Sequence, residues 1–129
     1  MLKHQAHDSK IRSFCFDGQY TLYSGSDDFK IKAWDLHEDE IKHINTFGQI
    51  ENIKSYHRDL VVLNKGDILV STRGQFDEFK IRIWDVKNDY DNIGCLVGHK
   101  DFIRGMSSIG KSSVVTISDD KTLKLWKLK

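Results

Sequence analysis

All three tryptophans of this 129-residue chain, Trp34, Trp84 and Trp126, sit at the same point of a recurring stretch. "SDDFKIKAWD" (Ser26–Asp35) returns as "FDEFKIRIWD" (Phe76–Asp85) and again as "SDDKTLKLWK" (Ser118–Lys127). A repeat of this length means that no single unit buries its apolar face alone; neighbours stack to build a shared core. The chain is therefore an array, and any catalytic motif in it has to be weighed against the repeat.

The residues before each Trp alternate. Ile31 and Ala33, Ile81 and Ile83, and Leu123 and Leu125 fall on one face, while Lys32, Arg82 and Lys124 fall on the other with the Trp. A period of two with β-branched content predicts a strand. A second strand is predicted just upstream at "TLYS", "ILVST" and "SVVTI", separated from the first by Asp and Gly punctuation as a tight hairpin requires. A third run, "IRSFCF", "LVVLN" and "FIRGMSS", ends near Gly18, Gly66 and Gly110. "IGCLVG" supplies a fourth strand in the middle unit, and in the first unit either "IKHINTF" or "IENIKS" does so. No segment has a helical period. The expectation is all-β: three four-stranded antiparallel units, the last ending after its third strand.

Spacing sharpens the pattern. Twenty-seven residues before the three tryptophans stand His7, His57 and His99, half of the six histidines in the chain. Ten before Trp34 and Trp126 stand Ser24 and Thr116; six before stand Asp28 and Asp120. The middle hairpin "RGQFDE" reads as two residues longer, which puts Thr72 at the hydroxyl position and Glu78, or its neighbour Asp77, at the acidic one.

On these residues the chain resembles the WD-repeat β-propeller family over nearly its whole length. "GHKDFI", "SDDKTLKLW" and the Trp34-Asp35 and Trp84-Asp85 pairs match the family pattern. His7 follows Ala6 and His57 follows Tyr56 where the family has Gly, the last unit closes with Trp126-Lys127, and the chain has no proline. The resemblance implies propeller blades forming part of a ring, at about residues 7–56, 57–98 and 99–129, with residues 1–6 as a possible closing strand. It also implies that Trp, hydroxyl, imidazole and carboxylate satisfy one another inside each blade. The implied tetrads are His7, Ser24, Asp28 and Trp34; His57, Thr72, Glu78 and Trp84; His99, Thr116, Asp120 and Trp126.

A Ser, a His and an Asp also invite a hydrolase reading. An enzyme needs one nucleophile beside one oxyanion hole, whereas a repeated fold needs the same polar joint in every blade. The threefold recurrence favours the joint. "GMSSIGKS" (Gly105–Ser112) matches a phosphate-binding loop, but that chemistry needs a helix N-terminus after the loop, and here the strand "SVVTI" follows. A nucleotide hydrolase is the remote alternative. His4 with His7, and His37 with His43, lack the partner ligands of a metal site. No metal, cofactor or catalytic residue is expected.

Net charge is 20 minus 19, or +1, and Lys10, Arg12, Arg58 and Arg104 are interleaved with acids, which argues against nucleic acid as a partner. No apolar run approaches the roughly 20 residues that span a bilayer, and "MLKHQAHDSK" lacks the apolar core of a secretory signal. Cys15 and Cys95 form no disulfide framework, as reduced thiols in a cell would not. The expected location is intracellular, cytoplasmic or nuclear. No linker or low-complexity run divides the chain.

The resemblance implies a non-catalytic scaffold that holds protein partners on its top rim, carried here by Lys10, Arg12, Asp27, Asp77, Phe102, Arg104 and Asp119. Rings use roughly four to eight blades, so three blades leave two apolar faces open. The expectation is that a second copy or another chain covers them, or that the blades belong to a longer seven-bladed adaptor. Leu2–Ala6 is expected to pair with Thr122–Leu128 of a neighbouring chain.

Overall fold

The computed structural model describes residues 1–49, 57–73 and 79–128. Three antiparallel sheets follow one another along the chain. The first is β1 (Ile11–Phe16), β2 (Thr21–Ser26), β3 (Ile31–Asp35) and β4 (Lys42–Phe47); the second is β5 (His57–Leu63), β6 (Ile68–Arg73), β7 (Ile81–Asp85) and β8 (Asp91–Leu96). The third holds β9 (Ile103–Ile109), β10 (Ser113–Ser118) and β11 (Leu123–Lys127). Each sheet is a meander in which strands adjacent in sequence are adjacent in space. The fourth strand of the first blade is "KHINTF", within the first of the two segments open to it; "IENIKS" lies outside the described residues.

Turn chemistry sets these boundaries. Gly18, Gly66 and Gly110 take positive φ at the hairpin between first and second strands of their blades, a conformation that costs glycine nothing. The following hairpin carries Phe29, Phe79 and Lys121 at positive φ, one per blade. These side chains accept a left-handed backbone because the hairpin register over-determines it.

Alternation then decides which side chains meet between blades. Blade one sends Tyr23, Ile31 and Ala33 against Leu60, Leu69 and Trp84 of blade two. Blade two sends Val70 and Ile81 from its other face against Val114 of blade three, with Leu63 and Ile103 in the same cluster. The core is thus two interblade layers, and both flank blade two. Gly105–Ile109 belongs to β9, Gly110 lies in the turn, and β10 begins at Ser113. The phosphate-loop match is a strand–turn–strand hairpin, with no helix N-terminus to face an anion.

Candidate functional site

The recurring "SDD" has a separate task for each letter. Ser26 Oγ donates to the Lys10 carbonyl (2.8 Å) and accepts from the Asp28 amide (3.1 Å), tying the hairpin to the chain entering β1. Ser118 repeats this with the Asp101 carbonyl and the Asp120 amide, both at 3.1 Å. The first Asp of each copy faces an arginine, and the second faces a histidine.

The second Asp completes a relay whose direction follows from the donor inventory. The Trp34 indole can only donate, and its Nε1–H goes to Ser24 Oγ at 2.9 Å. Ser24 therefore spends its own hydrogen on His7 Nε2 (2.7 Å), which leaves Nδ1–H to donate to the acceptor-only carboxylate of Asp28 (2.8 Å). Blade three repeats the chain: Trp126 Nε1 to Thr116 Oγ1 at 2.8 Å, Thr116 to His99 Nε2 at 2.7 Å, and His99 Nδ1 to Asp120 at 2.8 Å. Both histidines and both hydroxyl residues are buried. Closed networks of this kind stiffen a structure because each member has only one arrangement that satisfies the rest.

Electrostatics agree with the geometry. Burial by itself raises the Asp28 carboxyl, but the His7 hydrogen bond and the amides of Lys30 and Asp8 outweigh it and hold the group below its ordinary value. Asp120 is pulled down further: burial again opposes, while Thr122, the Lys100 amide and His99 all stabilise the carboxylate. The hydroxyls are not available as nucleophiles, since each is buried and already accepts the indole. The Cys15 thiol, pushed up to about 12 by burial and then by Asp59 and Asp17, stays protonated. Among the described residues no three His, Cys, Asp or Glu side chains converge as metal ligands.

Blade two departs from this scheme. Trp84 Nε1 donates to Ser71 Oγ at 2.8 Å, so Ser71 takes the hydroxyl position expected of Thr72. Thr72 Oγ1 is buried without a hydrogen-bond partner. The physical reason is the length of the hairpin: Ser71 and Trp84 stand 13 residues apart, against 10 in the other blades. The insertion is three residues, not two, and that shifts the hydroxyl by one.

The same shift corrects His57. Counting back from Trp84 crosses the insertion, so the count ends inside β5. There His57 opposes Arg73 as Ile11 opposes Ser26 and Ile103 opposes Ser118. His57 is fully buried and its Nε2–H donates to the Gly48 carbonyl of blade one at 3.1 Å. Gly25 and Gly48 make room for it: a Cβ on either would come within 3 Å of the His57 side chain. His57 is thus a strap between blades. Glu78 and Asp77 lie outside the described residues.

The rim is built from a bulge. The register of each first strand skips one residue, and in all three it is an arginine: Arg12, Arg58 and Arg104. A bulge re-aims its side chain. Arg12 reaches Asp27 through two parallel bonds of 2.8 Å, and Arg104 reaches Asp119 through bonds of 2.9 and 2.6 Å. These hydrogen bonds are the main reason that both carboxyls sit below their ordinary range. The Arg104 guanidinium also lies over Phe102, 5.4 Å from the ring centre, and Phe102 meets Phe79 edge-on. Lys10 contributes backbone: its carbonyl accepts from the Asp27 amide, as Phe102 accepts from Asp119. Asp27 and Asp119 fall 15 residues after Arg12 and Arg104, a spacing visible in the sequence that would have identified the pairs.

The comparisons with known proteins agree with this architecture. The family model for the WD domain, G-beta repeat, matches residues 1–35 and 90–127. The nuclear distribution protein PAC1 of Arthroderma otae is 30% identical, over 95% of this chain and 27% of that protein. The F-box/WD repeat-containing protein sel-10 of Caenorhabditis elegans is 28% identical, over 91% of this chain and 19% of that protein. The crystal structure of the RRP9 WD40 repeats superposes with a TM-score of 0.81 at 16% identity, covering 95% of this chain and 37% of that one. The chain thus spans 27% or less of the length of both these sequence relatives. It belongs to the WD domain, G-beta repeat family.

Proposed function

We propose that the chain is a non-catalytic, intracellular scaffold that holds a protein partner on its charged rim. WD-repeat proteins generally act as scaffolds for protein interactions. One observation carries the reading beyond the family: Arg12–Asp27 and Arg104–Asp119 occupy equivalent places, each set by a bulge and a hairpin. Paired groups on a fixed backbone present a mixed-charge surface already in its binding geometry, and Phe102 beneath Arg104 adds an aromatic contact of the kind enriched at binding hot spots. Lys10 completes this surface. The open faces of blades one and three are covered by further polypeptide, either a second copy or another chain. A second reading, favoured by the 27% share of PAC1 that the chain spans, sets these blades within a longer seven-bladed adaptor.

The experiment is a selection of displayed peptides against the whole chain, repeated with Phe102→Ala/Arg104→Ala. The double variant should lose the selected peptides while its far-UV circular dichroism stays that of the parent. Peptides that bind both equally would move the working surface to a blade side or to the opposite rim.

A further inference from the structure

Two grooves, one on blade one and one between blades one and two, are built from equivalent parts. Beyond β3 and β7 the chain turns through an aspartate at positive φ, Asp39 (φ 58°) and Asp89 (φ 53°). Glu40 follows the first and Asp91 closely follows the second, so each turn brings two carboxylates to its groove. The opposite wall is a segment laid against a tryptophan: His4 meets Trp34 edge-on at 5.0 Å, and Phe47 meets Trp84 edge-on at 5.6 Å. The residue before each ring, Lys3 or Thr46, lines the same groove.

That residue makes the difference. In the first groove, of about 260 Å³, Lys3 supplies a cation alongside Asp39 and Glu40. The second, of about 510 Å³, has Asp89 and Asp91 but no lysine, arginine or histidine among the described residues that line it. Lys87, in the same turn, bonds to Asp67 at 2.9 Å instead. Both carboxylates are exposed, and Asp89 accepts a long bond of 3.3 Å from the Asn45 amide. Beside them stands an aromatic wall that is set in advance. Phe47 and Tyr90 stack at 4.4 Å, and both meet the buried Tyr23 edge-on at 6.4 Å. Carboxylates next to such a wall suit a guanidinium, whose plane lies against a ring while its N–H fork reaches the oxygens.

We propose that the groove between blades one and two binds an arginine side chain from a basic segment of a protein partner. The guanidinium sits at Asp89 and Asp91, and its stem runs along Phe47 and Tyr90. Lys3 plays the corresponding part within the chain in the first groove, whereas Thr46 is too short and carries no charge. The site shares no residue with the charged rim and does not rest on it.

The probe is the peptide acetyl-Gly-Arg-Gly-amide, titrated into the whole chain to millimolar concentration and followed by NMR. The Trp84 indole and the amides of Thr46, Asp89 and Asp91 should shift and saturate together. The same peptide with citrulline in place of arginine keeps the shape and loses the charge, and it should bind about 10-fold more weakly. Asp89→Asn/Asp91→Asn should weaken the arginine peptide by about the same factor, and asparagine tolerates the left-handed turn at residue 89. Thr46→Lys puts a lysine where the first groove has Lys3, and it should compete with the peptide. Phe102→Ala/Arg104→Ala should leave the titration unchanged. Signals at Trp84 and Asp89 that do not move, equal binding of the two peptides, or undiminished binding to Asp89→Asn/Asp91→Asn would each overturn the proposal. Loss of the peptide from Phe102→Ala/Arg104→Ala would put its site on the rim and overturn the groove alone.

Discussion

Blades one and three hold their central tryptophan through a four-member relay, whereas in blade two the joint among the described residues is Trp84 donating to Ser71. The difference follows the length of the hairpin, 13 residues from Ser71 to Trp84 against 10 in the other two blades. Blade two is covered on both faces, with Leu60, Leu69 and Trp84 buried against blade one and Val70 and Ile81 against blade three. In blades one and three the network of imidazole and carboxylate stiffens the hairpin from inside. Blade two carries a longer hairpin and a buried Thr72 hydroxyl without a hydrogen-bond partner. Blades one and three keep the 10-residue spacing that closes the relay.

The largest test of this contrast is Trp84→Ala. Its ring belongs to the first core layer and meets Phe47, so its loss should cost about 3–5 kcal/mol in urea unfolding. A cost under about 1 kcal/mol would mean that blade two does not depend on that layer. Next come the hydroxyls, with opposite signs. Thr116→Val and His99→Ala each strand a buried partner in blade three and should destabilise by about 1–3 kcal/mol. Thr72→Val removes a buried hydroxyl that has no partner, and it should leave stability unchanged or raise it by up to about 1 kcal/mol. If Thr72→Val destabilises as much as Thr116→Val, the two blades are alike after all.

The smallest effect is a dependence on pH. Asp28 and Asp120 titrate below the ordinary 3.8 when folded, so the unfolded chain binds protons first as acid is added. Their contribution is whole above that value and is lost as pH falls from it toward the lowered folded values. Urea midpoints measured between about pH 6 and pH 2 should therefore drop below about pH 4. The drop should be shallower in Asp28→Asn/Asp120→Asn, with the remainder due to Asp27 and Asp119. An identical acid limb in the double variant would detach both carboxyls from the relay.

Most of the architecture was legible in the sequence because strand alternation and the Trp–hydroxyl–Asp spacing are local signals. In the terminal units "SDD" lies within one hairpin and the residues from Ser24 to Trp34 and from Thr116 to Trp126 contain no insertion, so counting works. It fails where length changes. Three extra residues between Ser71 and Trp84 made the count read the hydroxyl as Thr72 rather than Ser71, and with one more in the β5–β6 hairpin they gave His57 the same offset as His7 and His99 by accident. What His57 does instead depends on Gly25 and Gly48 of another blade, a contact that no local pattern encodes. The shared 15-residue spacing marks the pairing of Arg12 with Asp27 in the sequence, while the bulge that aims Arg12 shows in the register of β1 on β2.

Hydrogen exchange at the three indole Nε1–H groups reads the relay most directly. All three donate to buried hydroxyls at 2.8–2.9 Å, so all three should be protected in the wild type. In His99→Ala, the Trp126 indole should exchange much faster while Trp34 and Trp84 keep their protection. Unchanged exchange at Trp126, or equal loss at all three, would contradict a joint that holds each terminal blade from within.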